Sequence, residues 1–242
     1  MEAAEFTVKA ISTQGSQGSS TGSGASRQSR GRRRRGPFRH GKSTPRKGES
    51  RAVVTTSTQA DSISEAAAAL SRSARGKPSR VLVYALGGRE EVGRNCMVFE
   101  CDDDIVIVDM GLQFPEEDMH GIDYVIPNIA CLRGKEKNIR GVIVTHGHYD
   151  HIGAIPHLLG KLGNPPIFTT PLSAGIIRKR QEEFTKAPRP NIVLIKPKMK
   201  IALGRNFIFE PFHVNHNIAD SFGAALQTPY GLILHTGDFK FD

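Results

Sequence analysis

The 242 residues contain no tryptophan, and aromatic side chains make up only 7% of the chain. Cysteine is equally scarce. Cys96, Cys101 and Cys131 form an odd-numbered set with no C-x-x-C spacing, which excludes a disulfide framework and favours a reducing compartment. Cys96 and Cys101 sit in apolar, strand-like surroundings, where a free thiol packs as a small hydrophobe. No apolar run approaches the roughly 18 residues of a membrane-spanning helix. The N-terminus lacks the apolar core of a secretory signal. These absences predict a soluble, cytoplasmic protein with no membrane association.

Acidic residues are also scarce in the first third. Through Arg80 there are 16 Lys/Arg against 5 Asp/Glu, whereas from Val81 onward 17 basic residues face 19 acidic ones. The net charge of +9 therefore belongs to the N-terminal segment. There, "STQGSQGSSTGSGAS" cannot bury enough apolar surface to offset chain entropy. The block "RQSRGRRRRGPFRHGKSTPRK" is densely cationic, with Arg32, Arg33, Arg34 and Arg35 at its centre. Residues 1–79 read as a disordered basic tail able to hold phosphate backbones by charge alone. One short helix is expected in "ADSISEAAAALSRSA", capped by Asp61 or Ser62.

Texture changes at Arg80. "RVLVYALGG", "NCMVFEC" and "DIVIVDMG" alternate with turn residues as a β-meander. "IDYVIPNIACL" looks partly helical but is interrupted by Pro127. "RGVIVTH" is a further strand. "HIGAIPHLLGKLG" places Ile152, Ile155, Leu158 and Leu159 on one helical face and ends on glycine. "PIFTT" is a short strand, and "PLSAGIIRKRQEEF" a helix with Pro171 near its start. Strands follow at "NIVLIKP", "FIFEPFHV", "FGAALQT" and "GLILHTG". The irregular alternation predicts an α+β fold of two sheets with helices outside, rather than a doubly wound parallel sheet.

The chemistry is concentrated in "VIVTHGHYDHIG". His146 and His148 are two apart at a strand end, where period-2 geometry puts both imidazoles on one side. Asp150 and His151 follow at the strand-to-helix turn, so four metal-capable groups can converge. Such a set could serve two metals, provided a shared carboxylate bridges them, and Asp238 in "LHTGDFKFD" stands on a glycine turn suited to that role. Taken singly, each residue has a plainer reading. Asp150 could cap the following helix, His146 could be a satisfied loop histidine, and Asp238 a turn aspartate. An H-x-H-x-D-H run is far more specific than its parts. His157 reads as structural and His235 as a strand-end packing residue. His213 could share the side of His216, and His40 and His120 take no role.

"THGHYDHIG" resembles the signature of the metallo-β-lactamase superfamily. "ALGGREEVGRN", "VIVDMGLQFPEEDMHGIDYVIPN", "VNHNIADS" and "HTGDFKFD" resemble the ribonuclease J family within its β-CASP nuclease branch. The resemblance runs from Val81 to Asp242 and leaves out the tail. It implies a metallo-β-lactamase domain over residues 80–242, built as an αββα sandwich. It implies two Zn²⁺, with Mn²⁺ as a substitute. His146, His148 and His216 would ligate the first ion, Asp150 and His151 the second, and Asp238 would bridge both. Asp150 would also orient the attacking hydroxide. Asp109 would support the histidines from behind. One departure stands out: the family usually carries an acidic residue where Tyr149 stands, though not as a ligand.

The resemblance further implies hydrolysis of single-stranded RNA, by 5′-to-3′ exonuclease and endonuclease action, in RNA decay and maturation. It also implies a homo-oligomer and RNA-decay partners. Family members continue into a β-CASP insertion, the closing half of the sandwich and a C-terminal domain, and take the last histidine of the second zinc from there. The expectation is therefore an N-terminal, truncated half with little nuclease activity by itself. Two alternatives share the same residues: a hydrolase of thioesters or lactams, and a non-catalytic RNA-binding scaffold. Intact metal ligands argue against the scaffold.

Overall fold

The computed structural model describes residues 80–241. The basic tail, its Arg32–Arg35 block and the alanine-rich helix lie outside the described residues. The expected meander is present. β1 (Leu82–Gly87), β2 (Cys96–Cys101) and β3 (Asp104–Val108) pair antiparallel, with Val83 opposite Phe99 and Phe99 opposite Val106. The acidic turn between β2 and β3 is tight enough to hold Asp102 at φ 51°, a left-handed conformation that short polar side chains tolerate.

From β3 onward the first sheet becomes parallel. β4 (Ile139–Ile143), β5 (Ile167–Thr169) and β6 (Ile192–Leu194) extend it to six strands in sequential order. Parallel neighbours require crossovers, and the helical segments supply them. The predicted helix after the histidine motif is broken into α1 (Tyr149–Ile152), α2 (Ile155–Leu158) and a 3₁₀ turn over Leu159–Leu162, stopped by Gly163 at φ 82°. Gly153, Ala154 and Pro156 fall at or beside the break, and proline lacks the N–H that would continue the ladder. α3 (Pro171–Gln181) begins with its proline in the first turn, as expected. "IDYVIPNIACL" is not helical along its length: Val125 makes an isolated antiparallel bridge to Gln113, and only Ala130–Leu132 form a 3₁₀ turn.

The second sheet is antiparallel and four-stranded, in the order β10 (Gly231–His235), β9 (Phe222–Thr228), β8 (Phe207–His213) and β7 (Ile201–Leu203). The sequence reading missed β7, a three-residue strand beginning directly after Lys200.

Period-2 alternation in the first sheet sends neighbouring side chains into two cores. Val98, Ile105, Ile107, Val142 and Val144 pack against Ile152, Ile155, Leu158, Leu159 and Ile177 of the helical layer. Phe99, Val106, Val108, Ile143 and Phe168 face the second sheet, meeting Phe207, Phe209, Phe222, Ala224 and Leu226. Each fully buried side chain of this size contributes about 1.5–3 kcal/mol of transfer free energy. Cys96 joins the first core and Cys101 the second, so both thiols pack as expected, while Cys131 is exposed. Buried Asp104 ties the sheets together. It pairs with Arg140 and accepts the backbone N–H groups of Arg205 (2.6 Å) and Asn206 (2.9 Å).

Candidate metal centre

The motif residues collect where β3, β4, β8 and β10 end. Asp109 follows β3 at φ 63° with a 1% exposed side chain. Its carboxylate accepts the Thr145 N–H at 2.8 Å and the Thr145 hydroxyl at 2.9 Å. The same carboxylate lies 2.8 Å from His151 Nδ1, which fixes that ring and turns its Nε2 toward the site. β4 ends at Ile143, so His146 and His148 stand on the loop beyond the strand rather than at its last residues. That loop still brings them together: His146 Nε2 lies 3.0 Å from His148 Nδ1, and the rings meet edge to face. His146 is fully buried, with Nδ1 held 3.0 Å from Thr145 Oγ1.

His216, on the loop after β8, reaches His148 Nδ1 at 3.3 Å. His213 ends β8 and is exposed. Asp238 arrives on the turn after β10, where the Gly237 N–H donates to His235 Nδ1 at 3.1 Å. Asp238 Oδ2 lies 3.4 Å from His151 Nε2 and 3.9 Å from His216 Nε2. Two groups of ligand atoms result, His146–His148–His216 and His146–His151–Asp238, each with atoms within 4.8 Å of one another. Asp150 belongs to neither group, but its Oδ2 lies 3.4 Å from His151 Nε2. It does not cap α1: His148 occupies that position and makes no side-chain cap bond.

Sequence reading passed over Asn95 and Thr145. Asn95 Nδ2 donates to the Asp150 carbonyl at 3.1 Å and lies 3.1 Å from His151 Nε2. Its only sequence signal is a place in the turn "GREEVGRN".

The donor set fits a zinc-type ion. Ligand separations of 3.0 and 3.3 Å match the edge of about 3.3 Å in a tetrahedron with Zn–N near 2.05 Å. Protonation states differ across the site. Burial, then repulsion from His151, lowers His146 to about 4, leaving a neutral imidazole with a free lone pair. Burial disfavours charge on His151 as well, yet the carboxylates of Asp109, Asp150 and Asp238 together outweigh it and raise that imidazole to about 12. The His151 hydrogen bond lowers Asp238 to about 2, so its carboxylate stays ionised. A cation would take over the role of the His151 proton.

A sandwich of a mixed sheet and an antiparallel sheet, with this His/Asp cluster at the strand ends, belongs to the metallo-β-lactamase superfamily. The model of that superfamily matches residues 89–241 of the chain. More particularly, the chain is similar to ribonuclease J of Synechocystis sp., with 41% identity over 160 residues. It is equally similar to ribonuclease J of Thermus thermophilus, with 41% identity over 172 residues. These alignments take in 66% and 69% of this chain but only 25% and 30% of the relatives' own lengths. A crystal structure of an Enterococcus faecalis V583 protein of unknown function shares the fold at TM-score 0.53 and 18% identity, covering 66% of this chain and 44% of that one.

Proposed function

We propose that residues 80–242 carry the metal-binding half of a zinc-dependent ribonuclease. One observation supports this reading most: two ligand groups share His146 and draw five residues from three separate segments, a costly convergence for a chain that needs only a stable core. Similarity to ribonuclease J supports RNA as the substrate. In this reading His146, His148 and His216 would hold one Zn²⁺, His151 and Asp150 the other, with Asp238 shared between them. A divalent pair there supplies Lewis acidity toward a phosphoryl group and lowers the pKa of water. Asp109 and Thr145 keep the His146 and His151 rings oriented. Asp150 would orient the attacking hydroxide, and Asn95 Nδ2, donating to its Oδ2 at 3.3 Å, keeps the carboxylate aimed.

The proposal extends to 5′-to-3′ exonuclease and endonuclease action on single-stranded RNA, with Mn²⁺ able to replace zinc. It includes a homo-oligomeric, cytoplasmic setting in RNA decay. No helix among the described residues is long and apolar enough to cross a membrane. The basic segment over 1–79 would add charge-driven RNA affinity through Arg32–Arg35. Elemental analysis of the purified chain should find zinc, and His148→Ala should lose it. The same segment, joined to the further length its relatives have, should cleave 5′-monophosphate RNA and stop doing so in His148→Ala. Absence of zinc and of cleavage would favour a scaffold instead.

A further inference from the structure

Outside the metal centre, aromatic rings and a guanidinium form one continuous stack along the helical layer. It starts at Tyr149, inside the histidine motif, whose ring is 40% exposed. The Arg180 guanidinium lies 5.1 Å from the Tyr149 ring centre and 4.8 Å from that of Phe184. Phe184 meets the His157 ring edge to face at 4.8 Å, and His157 stacks on Tyr124 at 4.4 Å. His157 and Phe184 then line a cavity of about 510 Å³ between α2 and the segment after α3. That volume falls within the roughly 300–1,000 Å³ of small-ligand sites.

Two features of the lining bear on what this cavity takes. His157 Nδ1 is bonded to the Tyr124 hydroxyl at 3.2 Å, while its Nε2 is buried with no partner. Buried polar atoms are rarely left unpaired without a reason. Exposed Lys161 and Lys186 flank the opening, and no ion pair engages either among the described residues. Burial, then Arg180 and Lys161, holds His157 below its ordinary value, so its ring offers neutral hydrogen bonding rather than charge.

We propose that this cavity is a nucleobase-binding site for a single-stranded RNA that leaves the metal centre over Tyr149. The base stacks on Phe184 beside the His157 ring, and Lys161 and Lys186 hold the flanking phosphates. Stacking with flanking cations is the general chemistry of single-strand binding and needs no particular base. Phe184 is the residue carrying most of the base dependence. The site rests on RNA being the substrate of the metal centre.

The test compares two fluorescently labelled oligomers on the whole chain: a short oligoadenylate and an abasic strand of equal length. Zinc content is read on the same samples. Wild type should prefer the oligoadenylate. Phe184→Ala should weaken its binding roughly 5- to 100-fold, leave abasic binding and zinc content unchanged, and be rescued by Phe184→Trp. Equal affinity for both strands in wild type, or an unchanged preference in Phe184→Ala, overturns the site. So does saturation by free AMP with no preference for the oligoadenylate over the abasic strand. Absence of zinc from wild type, together with an oligoadenylate preference that Phe184→Ala abolishes, would sink the hydrolase reading and leave only the base-binding cavity.

Discussion

Asp109 does three things with one carboxylate: it accepts from the Thr145 backbone, from the Thr145 hydroxyl and from His151 Nδ1. Its left-handed backbone, at φ 63°, restricts what can replace it. Asparagine tolerates that conformation but cannot offer two anionic oxygens. Asp109→Asn should therefore fold and bind zinc about 10- to 100-fold more weakly, measured by competition with a chromophoric chelator. Much at this scale could be read from the sequence, because His146, His148, Asp150 and His151 are neighbours whose spacing is itself the signal. His216 was reachable only through a resemblance, whereas Asp238 was marked locally by the glycine turn after an apolar strand. Asn95 was not reachable by local signals. It meets Asp150 across 55 residues, and an asparagine in a glycine-rich turn resembles any other turn residue.

The turn after β3 shows how elements set tolerances. A Cβ on Gly111 would lie 1.5 Å from the Asp150 backbone oxygen and 2.9 Å from the Asn95 nitrogen. Both are main-chain atoms that cannot rotate aside. This close approach lets Gly111 N–H donate to the Asn95 carbonyl (2.9 Å) while Asn95 N–H donates to Asp150 (3.0 Å). Gly111→Ala should separate the turn from α1, lowering the thermal midpoint by several degrees and leaving less than full zinc occupancy. A normal midpoint with full zinc would show that this packing is not needed. Strands long enough to show alternation were legible in the sequence; β7 and the broken helix were not. Periodicity marks a buried face but not where glycine and proline interrupt it, which is why Ile152, Ile155, Leu158 and Leu159 all reached the core while the helix through them did not form.

Across the whole molecule, stability and protonation are coupled through two buried histidines. His146 ordinarily titrates near 6.5 but is lowered to about 4. Between those values the unfolded chain binds a proton that the native state refuses, so stability falls as pH drops through that window. His151, raised to about 12, acts in the opposite sense. Above about pH 6.5 the native state keeps a proton that the unfolded chain releases, so stability declines as pH rises. The metal-free protein should be most heat-stable near pH 6.5, and His151→Asn should flatten the alkaline side of a calorimetric pH series. The inter-sheet core is a separate source of stability. Phe209 is fully buried there, and Phe209→Ala should cost about 3–5 kcal/mol in a urea titration. Against a typical total of about 5–15 kcal/mol, the variant would be substantially weakened.

Asp104, reaching across to Arg205 and Asn206, has a consequence in time. The two sheets are joined by contacts between distant parts of the chain, and such contacts form slowly. His146, His148 and His151 share one loop and can approach early, but His216 and Asp238 join them only after the second sheet has docked. Metal would then bind a transition state hardly better than it binds the unfolded chain. In stopped-flow experiments zinc should leave the refolding rate nearly unchanged and slow unfolding by almost its whole stabilising effect, acting as a latch that closes once folding is done.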